Sequence, residues 1–238
     1  MPENATYRRG QVDWALWREF TAESLSASKE APQVFSTRIK RLLDIDRTME
    51  PVDPAAPRHA FFEGAPPGKG TEVAFTPFDT FCLAVGLDML DAGFKQSEVV
   101  FVLKHIRPEL QQHHTRILRR PCRPDRMLSL ADAYSDMPFF LDDQGNGIAD
   151  WRVFLILRRA EFVETLYVPK DRPIPPKTPL FMEPVFVDGI AGLTEHLNAQ
   201  MWPYRKGYIA EIAKPASLTS GFLERAPEIR RGRAQHFF

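Results

Sequence analysis

The chain has 238 residues, 44% of them hydrophobic and 26% charged, an ordinary composition for a globular protein, with length for one large domain or two small ones. Lys plus Arg equals Asp plus Glu at 31 each, which argues against a protein that coats nucleic acid through bulk positive charge, so any DNA contact must rest on local patches. No apolar run approaches the roughly 20 residues a membrane-spanning helix needs, and the polar opening stretch lacks a leader's apolar core, so the cytoplasm is the expected compartment.

Residues 1–11 read as a flexible N-terminus. From Val12 a helical pattern begins, with Val12, Leu16 and Phe20 at four-residue spacing and Trp14 and Trp17 alongside. A second helix is expected from Pro32, a favoured first-turn residue, with Phe35, Ile39, Leu42 and Leu43 on its apolar face and Arg38, Lys40 and Arg41 on the other. Two short helices with a joint make a helix-turn-helix outline. Residues 49–57 hold three prolines and read as a loop. His59–Glu63 and Thr71–Phe75 then look like two strands of a hairpin, with a glycine-rich tip carrying Lys69.

The next segment is the most informative. Thr76 can cap a helix, Pro77 suits its first position, and Asp79 stands where a capping box needs its acid. The helix buries Phe78, Phe81, Cys82, Val85, Leu87 and Leu90. Gly93 is placed to end it in a left-handed conformation, with Phe94 packing back. Ser97 is expected to cap a following helix built on Val99, Val100, Val102, Leu103 and Ile106, and Pro108 to begin a further helix or kink this one. Cys82 sits inside an apolar pattern, so a buried thiol is expected rather than a disulfide with Cys122.

Phe75-Thr-Pro-Phe-Asp79, Leu83, Leu90, Gly93-Phe94, Ser97-Glu98-Val99 and Leu103 together resemble the latter half of a MerR-type winged helix-turn-helix domain. The likeness covers residues 75–106 in register and extends less closely over 12–110. It implies DNA binding, and symmetry adds the expectation of a two-fold dimer reading a pseudo-palindromic site. The chain departs from the family's pattern in having a proline-rich loop after Arg47, and Pro108, Pro121 and Pro124 where the family has a long dimerising helix.

Beyond Met127 the pattern changes. Met137–Leu141 and Trp151–Leu157 read as strands joined by an Asp142–Gly147 turn, and Glu161–Tyr167 as a further strand. Residues 171–179, with four prolines, read as a loop. Leu180–Val187 is strand-like, Ile190–Leu197 helical, and Tyr208–Ile212 strand-like. The expected architecture is α+β: a mainly helical, winged-helix-like domain over 12–120, a small α+β effector or dimerisation domain over 128–225, and a basic tail over 226–238.

Candidate DNA contacts are Gln33, Thr37, Arg38, Lys40 and Arg41 in the major groove and Lys69 on phosphate, since phosphate contacts supply affinity and groove-facing side chains supply specificity. Arg116, Arg119 and Arg120 open an arginine-rich stretch from Gln111 to Met127, where five arginines face one acid; it suits phosphate or a solvated linker equally. Against this, residues 1–110 hold 13 basic and 16 acidic side chains, a net of −3. His105, His113, His114 and Cys122 match no zinc spacing, and the would-be calcium loop from Asp142 has Val153 where its bidentate acid belongs. No nucleophile elbow, phosphate loop, dinucleotide glycine pattern or zinc-protease helix is present, so no cofactor, metal or catalytic residue is expected. The leading expectation is a DNA-binding transcription regulator acting on double-stranded DNA, with a small-molecule effector or protein partner for its C-terminal domain. A protein-interaction adaptor, or an enzyme whose site lies in the C-terminal domain, are the alternatives.

Overall fold

A computed structural model describes residues 5–21, 30–50, 57–64, 73–119, 139–141, 147–149, 152–158, 185–199 and 207–226. Lys69, Arg120, Cys122, the arginines beyond Arg119, most of the Asp142–Gly147 turn, the Glu161–Tyr167 run and the tail past Ala226 lie outside them. The fold is α+β, with a helical N-terminal region and a small three-stranded antiparallel sheet. The chain divides into two compact units, one of residues 1–111 and 215–238, the other of 112–214. The division falls earlier than the junction expected near 120–128, and the last helix returns to the first unit.

The first unit opens with β1 (Tyr7–Arg8) and α1 (Arg9–Phe20), in place of the flexible N-terminus expected through residue 11. Val12, Ala15, Leu16 and Trp17 form the buried stripe of α1. α2 (Gln33–Thr48) begins directly after Pro32 and buries Ile39, Leu42, Leu43 and one acid, Asp46. β2 (Ala74–Phe75) pairs antiparallel with β1, placing Tyr7 opposite Phe75 and Arg8 opposite Ala74. The expected hairpin is therefore not what β2 joins: residues 59–63 form no strand. Side chains satisfy that segment's backbone instead. Asp46 accepts from the Ala60 and Phe61 amides, and Arg107 donates to the Ala60 carbonyl.

α3 (Pro77–Asp91) starts as its local chemistry dictates. Thr76 Oγ1 accepts from the Asp79 amide at 3.1 Å, and the Asp79 carboxylate accepts from the Thr76 amide at 2.9 Å. It ends at Gly93, whose φ of +92° lets the Phe94 amide reach the Met89 carbonyl at 3.0 Å. α4 (Gln96–Arg119) begins two residues earlier than a Ser97 cap requires, with Glu98 accepting from the Lys95 amide at 2.9 Å. It runs unbroken through Pro108, giving up one intrahelical bond there. Phe61, Phe75, Phe81, Leu16, Ile39, Leu83 and Leu103 are fully buried in this unit.

In the second unit β3 (Phe139–Leu141) and β4 (Gly147–Ala149) form an antiparallel hairpin. β5 (Val153–Arg158) is the central strand between β6 (Val185–Asp188) and β7 (Gly207–Glu211), antiparallel to both. Every residue from Val153 to Leu157 is buried, which accounts for an unbroken apolar run rather than an alternating one. α5 (Gly189–Ala199) sets Leu193 against Phe154 and Ile156, with Val185, Val187 and Leu197 around them. α6 (Ala213–Arg225) follows β7 and packs within the first unit on α1. There Phe222 meets Trp14 edge-on at 6.2 Å, and Thr219 Oγ1 donates to Glu19 at 2.5 Å.

Candidate nucleic-acid interface and the ionic network behind it

The register of α2 sorts its residues into two arcs. Ile39, Leu42, Leu43 and Asp46 turn inward, while Gln33, Val34, Lys40, Arg41, Asp44, Arg47 and Thr48 are exposed. On the outward arc Lys40 and Arg41 have no ion-pair partner among the described residues. Asp44 shares the arc but faces Arg47 at 3.8 Å. Thr37 is half-buried and its hydroxyl is spent on the Gln33 carbonyl at 2.8 Å. Arg38 sits at the edge of the arc and is bound to Asp91 at the end of α3. Of the three cations expected on this helix, two have no ion-pair partner among the described residues and one already holds a protein partner.

The inward arc is anchored by charge as well as by hydrocarbon. Asp46 is fully buried (0% exposed) and Lys104 nearly so (3%), with Nζ 3.4 Å from Asp46 Oδ1. The same ammonium donates to the carbonyls of Asp46 (3.2 Å) and Met49 (2.5 Å) at the C-terminal end of α2. A cation there meets the negative end of the helix dipole and satisfies acceptors that helix geometry leaves open. His59 is also buried; its Nδ1 lies 3.8 Å from Asp46 Oδ2, too far for a hydrogen bond, and has no hydrogen-bond partner among the described residues. Burial lowers the His59 pKa, with the Lys104 and Arg58 charges working the same way and Asp46 opposing them.

A second buried pair lies alongside. Arg107 donates to Asp79 Oδ1 at 2.6 Å and to the Ala60 carbonyl at 2.5 Å, sits 3.7 Å from Cys82 Sγ, and lies over the Phe78 ring at 4.8 Å. Asp79 thus closes the cap of α3 and neutralises Arg107 at once. Cys82 is a buried free thiol, as its apolar surroundings imply, and burial pushes its pKa up to about 12, far from the thiolate a nucleophile needs. The two pairs tie α2, α3, α4 and the 59–61 segment together around α2's inner face. Sequence reading missed them because buried Asp46, Lys104 and Arg107 resemble surface charges. Their signal is register: Asp46 continues the Ile39-Leu42-Leu43 stripe, and Arg107 falls between Leu103 and Leu110 on the buried face of α4.

The remaining expected contacts lie elsewhere. Arg119 is exposed at the end of α4. Arg116 grips Asp188 with both guanidinium nitrogens at 2.8 and 2.7 Å inside the second unit. It also lies 2.9 Å from His113 Nδ1, and that ring stacks on Phe186 at 4.0 Å. Arg116 is therefore held by the protein itself. Among the described residues no group of three or more His, Cys, Asp or Glu side chains is placed to hold a metal ion. Among them, too, no helix is long and apolar enough to cross a membrane. No family model, curated protein or solved structure matches the chain.

Proposed function

We propose that this chain is a DNA-binding transcription regulator whose first unit works as a MerR-type winged helix-turn-helix, with α2 as the recognition helix. The observation that carries this reading is the outward arc of α2, where Gln33, Val34, Lys40 and Arg41 are exposed on a helix braced from behind. A recognition helix needs that division: a fixed inner face, and an outer face whose polar groups are not already spent. Lys40 and Arg41 supply cations to phosphate or guanine, and Gln33 a carboxamide to base edges. The segment bearing Lys69 leads into β2, which pairs with β1 beside the start of α1. The second unit serves as the effector-binding, partner-binding or dimerising part, and a two-fold dimer would read a pseudo-palindromic site.

The test is fluorescence anisotropy of the full chain on mixed duplex DNA fragments, across salt from about 50 to 200 mM. Affinity falls steeply with salt in the wild type. In Lys40→Ala/Arg41→Ala the slope of log K against log salt is shallower by about 2, one counterion per lost phosphate contact. Arg38→Ala, which breaks a protein-internal pair, leaves that slope unchanged. No binding at the lowest salt overturns the reading and leaves the arc to a protein partner.

A further inference from the structure

We infer that the first turn of α2 reads an A·T base pair, Gln33 bonding the adenine and Val34 packing on the thymine methyl; this rests on the DNA reading above. Val34 is the observation that starts the argument. It is 78% exposed in the first turn of α2, whereas the other large exposed apolar side chains among the described residues, Leu118, Ile190 and Ile209, are 37%, 40% and 45% exposed. A β-branched side chain on a helix is nearly fixed in χ1, so it can be buried against a partner with little loss of freedom.

Its neighbour completes the recognition chemistry. The Gln33 carbonyl is taken by Thr37, but its carboxamide has no hydrogen-bond partner among the described residues. A carboxamide offers a donor and an acceptor side by side, the pattern that meets adenine N7 and N6 in the major groove. Thymine, across the same pair, presents a C5 methyl in that groove, and an apolar side chain is what contacts it. Helices enter the major groove with their N-terminal residues at the base edges. Lys40 lies in line with Gln33 two turns on, roughly 10 Å along the axis, and Arg41 stands beside it. That spacing puts the apolar and carboxamide groups at the bases and the two cations toward the backbone. No acidic side chain lies in the first turn of α2 to repel DNA.

The experiment selects duplexes from a randomised library with the full-length protein, then remakes the enriched duplex with uracil in place of thymine, which removes only the methyl. An A·T pair is expected at a position of the enriched sequence whose preference is lost in Gln33→Ala. The uracil duplex binds wild type about fourfold more weakly, the effect of one lost methyl contact. Val34→Ala binds both duplexes equally, at the weaker level. Both substitutions are at exposed helical positions and raise helix propensity, so folding is not at stake. An enriched sequence indifferent to Gln33 and to the methyl, or a methyl effect that persists in Val34→Ala, overturns this inference while leaving DNA binding intact. No enrichment and no binding at low salt overturns both.

Discussion

The Lys104 ammonium lies 3.4 Å from the Asp46 carboxylate, with both side chains in the interior and 58 positions apart in the chain. Removing one member of such a pair strands the other as an uncompensated buried charge, which is more costly than never having had the pair. Lys104→Met is expected to lose about 3–5 kcal/mol of stability, read as a lower urea midpoint. Asp46→Asn/Lys104→Met recovers part of that loss, because no charge is left stranded. Recovery stays incomplete, since one carboxamide oxygen cannot serve both the Ala60 and Phe61 amides as well as a carboxylate does. A double variant no more stable than Lys104→Met would show that charge burial is not the origin of the loss.

Asp79 has two tasks where Thr76 has one. Thr76→Ala removes only the cap and is expected to cost about 1 kcal/mol. Asp79→Ala removes the reciprocal cap and leaves the Arg107 guanidinium buried without its carboxylate, so its loss is several-fold larger. A double-mutant cycle of Asp79→Ala with Arg107→Met isolates the second task, with a coupling of about 1–3 kcal/mol. Equal losses for Thr76→Ala and Asp79→Ala would mean that the ion pair contributes nothing.

These two sites also mark what the amino-acid order could disclose. The Thr76–Asp79 box and the Gly93 stop involve residues three to five apart, so their geometry is set by the local backbone and was legible in advance. The apolar stripes of α1, α2, α3 and α4 were legible for the same reason, as were β5, α5 and β7 in the second unit. The pairing of Tyr7 with Phe75 was not, because strand partners are chosen by tertiary packing and two-residue strands carry no period. His59–Glu63 has the composition of a strand, yet Asp46 and Arg107 take its backbone groups first. On the candidate interface, Gln33, Lys40 and Arg41 were legible as the outer arc of a periodic helix. That Arg38 and Arg116 are spent on Asp91 and Asp188 was not, since those partners lie 53 and 72 residues away.

Gly93 offers a test in which sign, not size, decides. At φ of +92° a side chain is strained, and a Cβ built there would have nothing within 4 Å, so the strain is backbone alone. Gly93→Ala is expected to destabilise by about 1–2 kcal/mol, against the modest gain Ala brings where φ is negative. Gly93→Asn loses less, because Asn tolerates the left-handed region. A stabilised Gly93→Ala, measured by urea or thermal unfolding, would contradict the stop assigned to α3.

Acid should weaken the fold through its histidines before its carboxylates are reached. Burial lowers the pKa of His114 from 6.5 to about 4, and burial lowers that of His59 as well. Both rings are held neutral in the folded chain and regain their ordinary affinity for protons on unfolding. Between pH 6.5 and 4 the unfolded chain therefore binds more protons, and stability falls as pH falls. The contribution is fully present above pH 6.5 and is lost through the folded-state pKa. For His114 the difference between the two values corresponds to about 3 kcal/mol. Urea unfolding of the wild type and of His114→Leu at intervals from pH 7 to pH 4 separates this term from the carboxylates, which both chains share. The wild type should lose more stability over that window than His114→Leu, and the two curves should run parallel above pH 6.5. Parallel curves throughout would mean that His114 is protonated as readily in the fold as out of it.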